Sequence, residues 1–196
     1  MITTFRLPLA RMFAAIGPAD WTGFSAAAAD AAAAGVHRSE AEEALLQATL
    51  FFGFPRVVTA FETLQRCWPQ ESAPGHGALP PGAQAGAGRA LFDAIYDRNA
   101  PTVHALLQSF HPDFHEFVVE CAYGRVLARP GLGPMVRELL AVAGLAALQQ
   151  VPQLVAHARG AVRFGATLSQ VRDCMAAGGV EGVPADELLA RISRAG

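Results

Sequence analysis

The segment Leu154–Ala166, LVAHARGAVRFGA, decides the fold class. Its apolar residues recur at spacings of three and four, as on one face of an α-helix, and Gly165 ends the pattern as glycine commonly does. The alternation typical of strands is almost absent from the chain, so the sequence predicts an all-α fold. We expect helices over 18–34, 38–52, 55–67, 87–99, 112–128, 133–148, 151–164, 168–177 and 185–194.

The composition indicates a protein that associates with copies of itself. Hydrophobic residues make up 52% of the 196 residues and charged residues only 16%. This chain is long enough for a hydrophobic core, and the remaining apolar surface favours a homo-oligomer.

Charge and cysteine content exclude several other classes. The formal net charge is -2, with no basic block, so nucleic acid is not expected as a partner. No apolar run reaches the roughly 20 residues that span a bilayer, and residues 1–17 do not form a convincing signal peptide. We therefore expect a cytoplasmic protein with no membrane partner. The three cysteines are odd in number and far apart, which favours reduced thiols over disulfides or a zinc site.

The segment 69–88, PQESAPGHGALPPGAQAGAG, interrupts the helical pattern and predicts a linker. It separates a helical half-unit at 1–68 from a helical unit at 89–196. Helix starts are indicated by Ser39 with Glu42, which resembles a capping box, and by Pro55 and Pro134.

A weak internal repeat relates the two sides of this linker. Residues 31–55 align with residues 161–184, which pairs Gly35 with Gly165. In this register Ala27 stands opposite His157, so only the second copy has the histidine.

The chain resembles the carboxymuconolactone decarboxylase family, which is related to the alkylhydroperoxidase core. The motifs that carry the resemblance are Arg129-Pro130-Gly131-Leu132, Arg137-Glu138-Leu139, and His157 followed by Gly165. The segment 37–65 resembles the part that follows the histidine helix in the family, so the order is permuted or duplicated. The resemblance implies a multi-helix bundle that assembles into oligomers, such as dimers, trimers or hexamers.

The same resemblance implies an acid–base pair rather than a peroxidase. Glu138 and His157 have the family separation, but Gln150 and Gln153 occupy the positions of the redox Cys-x-x-Cys pair. Glutamine cannot replace a thiolate, so peroxidase activity is not expected. A histidine held by a carboxylate can transfer protons near neutral pH.

The implied chemistry is cofactor-independent decarboxylation or isomerisation of a small carboxylated or lactone substrate. His157 would donate the proton and Glu138 would orient it, while the substrate carboxylate would be bound by an arginine among Arg137, Arg159 and Arg163. Two alternatives stay open: these residues could have only structural roles, and the protein could be a catalytically inactive oligomeric binding or scaffold relative of the family.

Two further patterns have simpler interpretations. His111 and His115 are four residues apart, but Pro112 places His111 before the helix, so a solvated or capping role is favoured and no metal site is expected. The phenylalanines at positions 51, 52, 54 and 61 are expected in the core or at an interface.

Overall fold

The computed structural model describes residues 5–69, 78–80 and 82–193. Within these ranges all regular structure is helical, which confirms the all-α prediction. A short 3-10 turn spans Asp97–Asn99, and a π-helix spans Val118–Leu127. The α-helices are α1 (Leu7–Ala15), α2 (Trp21–Ala33), α3 (Arg38–Cys67), α4 (Gln84–Tyr96), α5 (Ala100–Phe110), α6 (Pro112–Phe117), α7 (Pro134–Ala147), α8 (Val151–Arg163), α9 (Leu168–Ala177) and α10 (Gly182–Ser193).

The chain forms two compact units. The first comprises residues 1–75 and 131–196 and contains α1–α3 and α7–α10. The second comprises residues 76–130 and contains α4–α6 and the π-helix.

These units differ from the predicted division at 69–88. The helix α4 begins at Gln84, inside the predicted linker, while residues 70–77 and 81 lie outside the described residues. The segment after residue 130 belongs with the N-terminal helices because α7 packs its apolar side chains against α1 and α3. A boundary based on composition could not reveal this long-range packing.

Close packing of α1 on α7 forms the centre of the first unit. Phe13 is fully buried there and packs on Phe51 and Phe52, with ring centroids 5.7 and 5.5 Å away. A Cβ atom on Gly144 would lie 2.6 Å from the Phe13 ring, so only glycine permits this approach of the two helices.

The turns that follow α2 and α8 have the same backbone geometry. Gly35 and Gly165 both have positive φ, 81° and 99°, a conformation that glycine adopts at little cost. The next helix then begins with a capping box in each case: His37 with Glu40, and Thr167 with Gln170.

The turns before these helices also correspond. Ala19 and Gln149 both have positive φ, 60° and 57°, at the same separation along the chain as the two glycines. The backbone N–H of the following residue, Asp20 or Gln150, donates to a carbonyl five residues earlier in both turns. The structural similarity between the two copies of the repeat therefore includes the turns that follow α1 and α7. The permuted or duplicated order of the family segments stays a prediction.

The helix boundaries depart from the prediction in several places. The prediction missed α1 and α5, whose short apolar segments are interrupted by polar residues and flanked by prolines. The capping box of α3 is His37 with Glu40 rather than Ser39 with Glu42. Gly53, with φ 74° and ψ 166°, interrupts α3 near the predicted break.

Close backbone contacts hold the second unit together. A Cβ atom on Gly88 of α4 would overlap the Val119 carbonyl and the Gly124 backbone, so the side chain is excluded there. Gly124 has the same constraint against the backbone of Gln84. These contacts let α4 lie directly on the π-helix.

One helix of the described chain, α3, has the length and mean hydropathy of a membrane span. A third of its most apolar window is buried within the protein. The conformation of Gly53 divides it into two helical segments.

Candidate functional site

Glu138 and His157 meet in the interior of the first unit. Glu138 lies on α7 and His157 on α8, and three residues connect these two packed helices. The Nδ1–H of His157 donates to Glu138 Oε2 at a distance of 3.0 Å. Glu138 is 1% exposed and His157 is 9% exposed, so the structure brings the predicted pair together in the protein interior.

The inward position of His157 follows from the pattern of α8. Leu154 and Ala161, which lie three residues before and four residues after His157 on the same face of the helix, are both buried in the core. A histidine on this face would be costly without a hydrogen-bond partner, and Glu138 supplies one.

The carboxylate controls the charge state of the ring. Burial alone would lower the pKa of His157, but the charge and hydrogen bond of Glu138 outweigh burial and raise the pKa above its ordinary value of 6.5. Because Nδ1 is bonded to Glu138, Nε2 is the ring nitrogen available to a ligand, and no described residue bonds it. The edge of the Phe51 ring lies beside the imidazole, with centroids 6.4 Å apart.

Arg137 lies in a buried hydrogen-bond network between α7 and α3. It is 1% exposed, and its Nη2 donates to Glu43 Oε2 at 2.8 Å. Gln47 donates to the backbone carbonyl of Arg137 at 2.7 Å and accepts from its Nη1 at 3.3 Å. This geometry makes Arg137 a link between α3 and α7, and it does not support the predicted role as a substrate anchor.

Arg159 and Arg163 lie on another side of α8 from His157. Since successive residues turn by about 100° around a helix, positions two and six residues after His157 point well away from its face. The Nη2 of Arg159 donates to the Arg191 carbonyl at 2.9 Å, and Arg163 is exposed. The structure does not bring either predicted anchor to the His157 ring.

The positions expected for redox cysteines contain exposed glutamines. Gln150 is the N-cap residue of α8, and Gln153 lies one turn before His157. Cys174 is buried elsewhere, where burial and the Asp173 charge raise the pKa of its thiol. The expectation that thiol chemistry does not occur beside His157 stays a prediction.

The two histidines of the sequence HPDFHEF have different environments. His111 caps α6 by accepting a hydrogen bond from the Asp113 backbone N–H at 3.2 Å, so its predicted capping role is confirmed. His115 is 7% exposed and bonds His104, which in turn bonds Asp93. The described ranges contain no cluster of three or more His, Cys, Asp or Glu residues arranged to hold a metal.

Sequence reasoning missed Glu43, Gln47, Asp93 and His104. Glu43 and Gln47 are one helical turn apart, and with Phe51 they form one face of α3. The presence of Glu43 and Gln47 on an otherwise apolar face of α3 could have indicated a buried polar network. His104 and Asp93 lie on helices whose relative placement no local pattern specifies.

A cavity of about 520 Å³ lies where the first repeat lacks the histidine. Its lining includes Asp20, Gly23 and Ala27, which correspond in the repeat to Gln150, Gln153 and His157. Small side chains therefore leave an open space at the position that the imidazole fills in the second copy.

Comparison with known proteins finds a family model and two relatives that match parts of this chain. Residues 112–190 match the sequence model of the carboxymuconolactone decarboxylase family. Over 135 residues the chain is 29% identical to "Peroxisomal protein 2" of Schizosaccharomyces pombe, which covers 66% of this chain and 62% of that protein. Over 67 residues it is 34% identical to "4-carboxymuconolactone decarboxylase" of Acinetobacter baylyi, which covers 34% of this chain and 50% of that protein.

Both relatives are thus matched over less than two thirds of their own length. The matched segment contains Glu138 and His157 and includes α6–α9 in full. The segment 112–190 is therefore similar to the carboxymuconolactone decarboxylase family.

Proposed function

We propose that the first unit performs cofactor-independent acid–base chemistry on a small carboxylated or lactone substrate, by decarboxylation or isomerisation. The observation that carries this proposal is the buried hydrogen bond between Glu138 and His157, which leaves Nε2 of the ring for a ligand. The named activity of the Acinetobacter baylyi relative supplies a specific substrate to test.

The raised pKa of His157 suits a proton donor. In decarboxylation the bond between the carboxylate and its carbon breaks, carbon dioxide leaves, and the electron pair passes into the conjugated lactone as a dienolate. The Nε2–H of protonated His157 then transfers its proton to carbon. Glu138 stabilises the imidazolium before this step, and a proton from water restores it afterwards.

The surroundings of the His157 ring can favour decarboxylation of the substrate without an arginine that binds the substrate carboxylate. Arg137 is held by Glu43 and Gln47, while Phe51 places an apolar ring beside His157. A substrate carboxylate loses its hydration on entering such a site, and its charge becomes dispersed as carbon dioxide forms. We therefore assign the cationic role to His157 itself.

The direct test is incubation of the protein with 4-carboxymuconolactone. Release of carbon dioxide, with one solvent deuteron incorporated at carbon when the reaction is run in D₂O, is the expected result. Turnover without solvent deuterium at carbon would contradict protonation from an exchangeable histidine.

A catalytically inactive binding protein is the second candidate. Its support is the small exposed fraction of His157, 9%, and the location of the cavities at Asp20, His115 and Trp21, none of which has His157 in its lining. In that case the Glu138–His157 pair only stabilises the packing of α7 on α8.

We also propose that the protein is a homo-oligomer. Four exposed apolar residues of α3, which we call the apolar stripe, are spaced four apart on either side of the break at Gly53: Leu46 and Leu50 before it, and Phe54 and Val58 after it, which are 37%, 36%, 75% and 56% exposed. A second copy of the chain would cover this stripe, consistent with the low charge content of the sequence.

A further inference from the structure

The second unit contains a chain of three hydrogen-bonded side chains, each from a different helix. Asp93 lies on α4, His104 on α5 and His115 on α6. His104 Nε2 is 3.0 Å from Asp93 Oδ1, and His104 Nδ1 is 2.8 Å from His115 Nε2. The fully buried Phe92 ring stacks on His104, with centroids 4.3 Å apart and an interplanar angle of 26°.

The carboxylate fixes the proton positions of both neutral rings. An ionised carboxylate only accepts hydrogen bonds, so His104 Nε2 carries its proton and donates to Asp93. The other nitrogen of His104 is then an acceptor, which requires His115 Nε2–H to donate to it. This order leaves His115 Nδ1 with a lone pair, and no described residue bonds it.

His115 belongs to the lining of a cavity of about 400 Å³. His115 and Val119 are buried, whereas the charged and amide groups around them are exposed. One arginine and two glutamates contribute charge to this lining: Arg89, Glu116 and Glu120. A buried acceptor thus adjoins a cation that no described residue pairs in an ion pair.

We propose that this cavity binds a small hydroxy monocarboxylate. Arg89 would bind the carboxylate, because a guanidinium matches its geometry with two parallel hydrogen bonds. His115 Nδ1 would accept the hydrogen bond of the hydroxyl group. Glu116 and Glu120 disfavour a second carboxylate on the ligand by like-charge repulsion.

The charge state of His115 supports its role as an acceptor. Burial lowers the pKa of His115 most, followed by His104 when that ring is protonated and by Arg89, whereas Glu116 opposes this effect. Glu120 also lies at the cavity, and Asp93 faces the far side of His104. The ring is therefore neutral at pH 7.5 and keeps its lone pair.

The experiment uses the full chain with ¹⁵N-labelled histidine. Ring ¹H–¹⁵N spectra at pH 7.5, assigned with His115→Gln, should show a proton on Nε2 and none on Nδ1 of His115. Asp93→Asn tests the positioning role: without an obligate acceptor at Asp93, the two neutral forms of the His104 and His115 rings should mix. A His115 ring protonated on Nδ1 in the unaltered protein would overturn the proposal.

Ligand titration tests the specificity with lactate, propionate and malate. Lactate should shift the His115 signals saturably, more tightly than propionate, which lacks the hydroxyl, or malate, which adds a carboxylate. Arg89→Gln should weaken lactate binding at least about tenfold, equivalent to roughly 1.4 kcal/mol. Arg125→Gln, an exposed arginine of the same unit outside the cavity, should leave binding unchanged.

Lactate binding in this cavity does not depend on the site at His157, so the lactate titration should give the same affinity in a His157→Gln protein. Equal lactate affinity in Arg89→Gln and the unaltered chain would overturn the proposal. Malate binding more tightly than lactate, or no saturable shift of His115 with any of the three probes, would overturn it as well.

Discussion

Glu138→Gln removes one charge from the buried pair while preserving its shape. The glutamine Oε1 can still accept from His157 Nδ1, because the amide and carboxylate occupy nearly the same volume. Burial then remains without the opposing charge, so the pKa of His157 should fall from above 6.5 to below 6.5. An NMR titration of the His157 ring measures this change directly.

The same substitution should make stability depend differently on pH. A group whose pKa is raised by folding contributes its full stabilisation below the unfolded value, near 6.5, and loses it as pH rises through the folded value. A hydrogen bond to a charged group contributes about 1.5–3 kcal/mol, so Glu138→Gln should cost that much at pH 6. Because the charged form of His157 is lost as pH rises through its folded value, the cost should be smaller at pH 9 than at pH 6.

Urea unfolding at the two pH values provides the stability measurement. Glu187→Gln is the matched control, because Glu187 is an exposed residue of α10 and should change neither value. The reasoning is refuted if the pKa of His157 stays above 6.5 in Glu138→Gln, or if the stability cost is larger at pH 9 than at pH 6.

Three further predictions follow from the described packing and surface. Arg137→Leu should reduce the free energy of unfolding by about 3–5 kcal/mol in urea denaturation, because Glu43 is left as an uncompensated buried charge; a loss below about 1 kcal/mol would contradict the link between α3 and α7. Phe54→Glu should lower the molecular mass found by light scattering, since it places a charge in the apolar stripe, and a 20.6 kDa species in the unaltered protein would refute assembly. Thiol alkylation should leave turnover unchanged; peroxide reduction lost on alkylating Cys67, Cys121 or Cys174 would contradict the absence of thiol chemistry.

The fold class follows from local patterns, whereas the central pair follows from the family resemblance. The period of the apolar residues specifies helices, and the positive φ at Gly35 and Gly165 agrees with the predicted helix ends. The family resemblance correctly brought together Glu138 and His157, whose contact depends only on two consecutive helices.

Contacts between residues far apart in the sequence could not be predicted from local patterns. Arg137 bonds Glu43 across a long separation in sequence, so its structural use could not be read from the motif that contains it. The placement of His104 beside His115 likewise depends on how α5 folds back on α6. The unit boundary at residue 130 depends on the packing of α7 against α1, which composition does not encode.

A paired measurement on His157→Gln tests the central claim most directly. If His157 transfers the proton, turnover of 4-carboxymuconolactone should fall roughly 10²-fold or more, the usual scale for loss of a general acid or base. Melting at pH 9, where the charged form of the pair contributes least, should change little, because the glutamine amide can donate to Glu138 in place of the imidazole. Loss of about 1–3 kcal/mol of stability, with turnover falling only in proportion to the folded fraction, would contradict the catalytic role and establish a structural one.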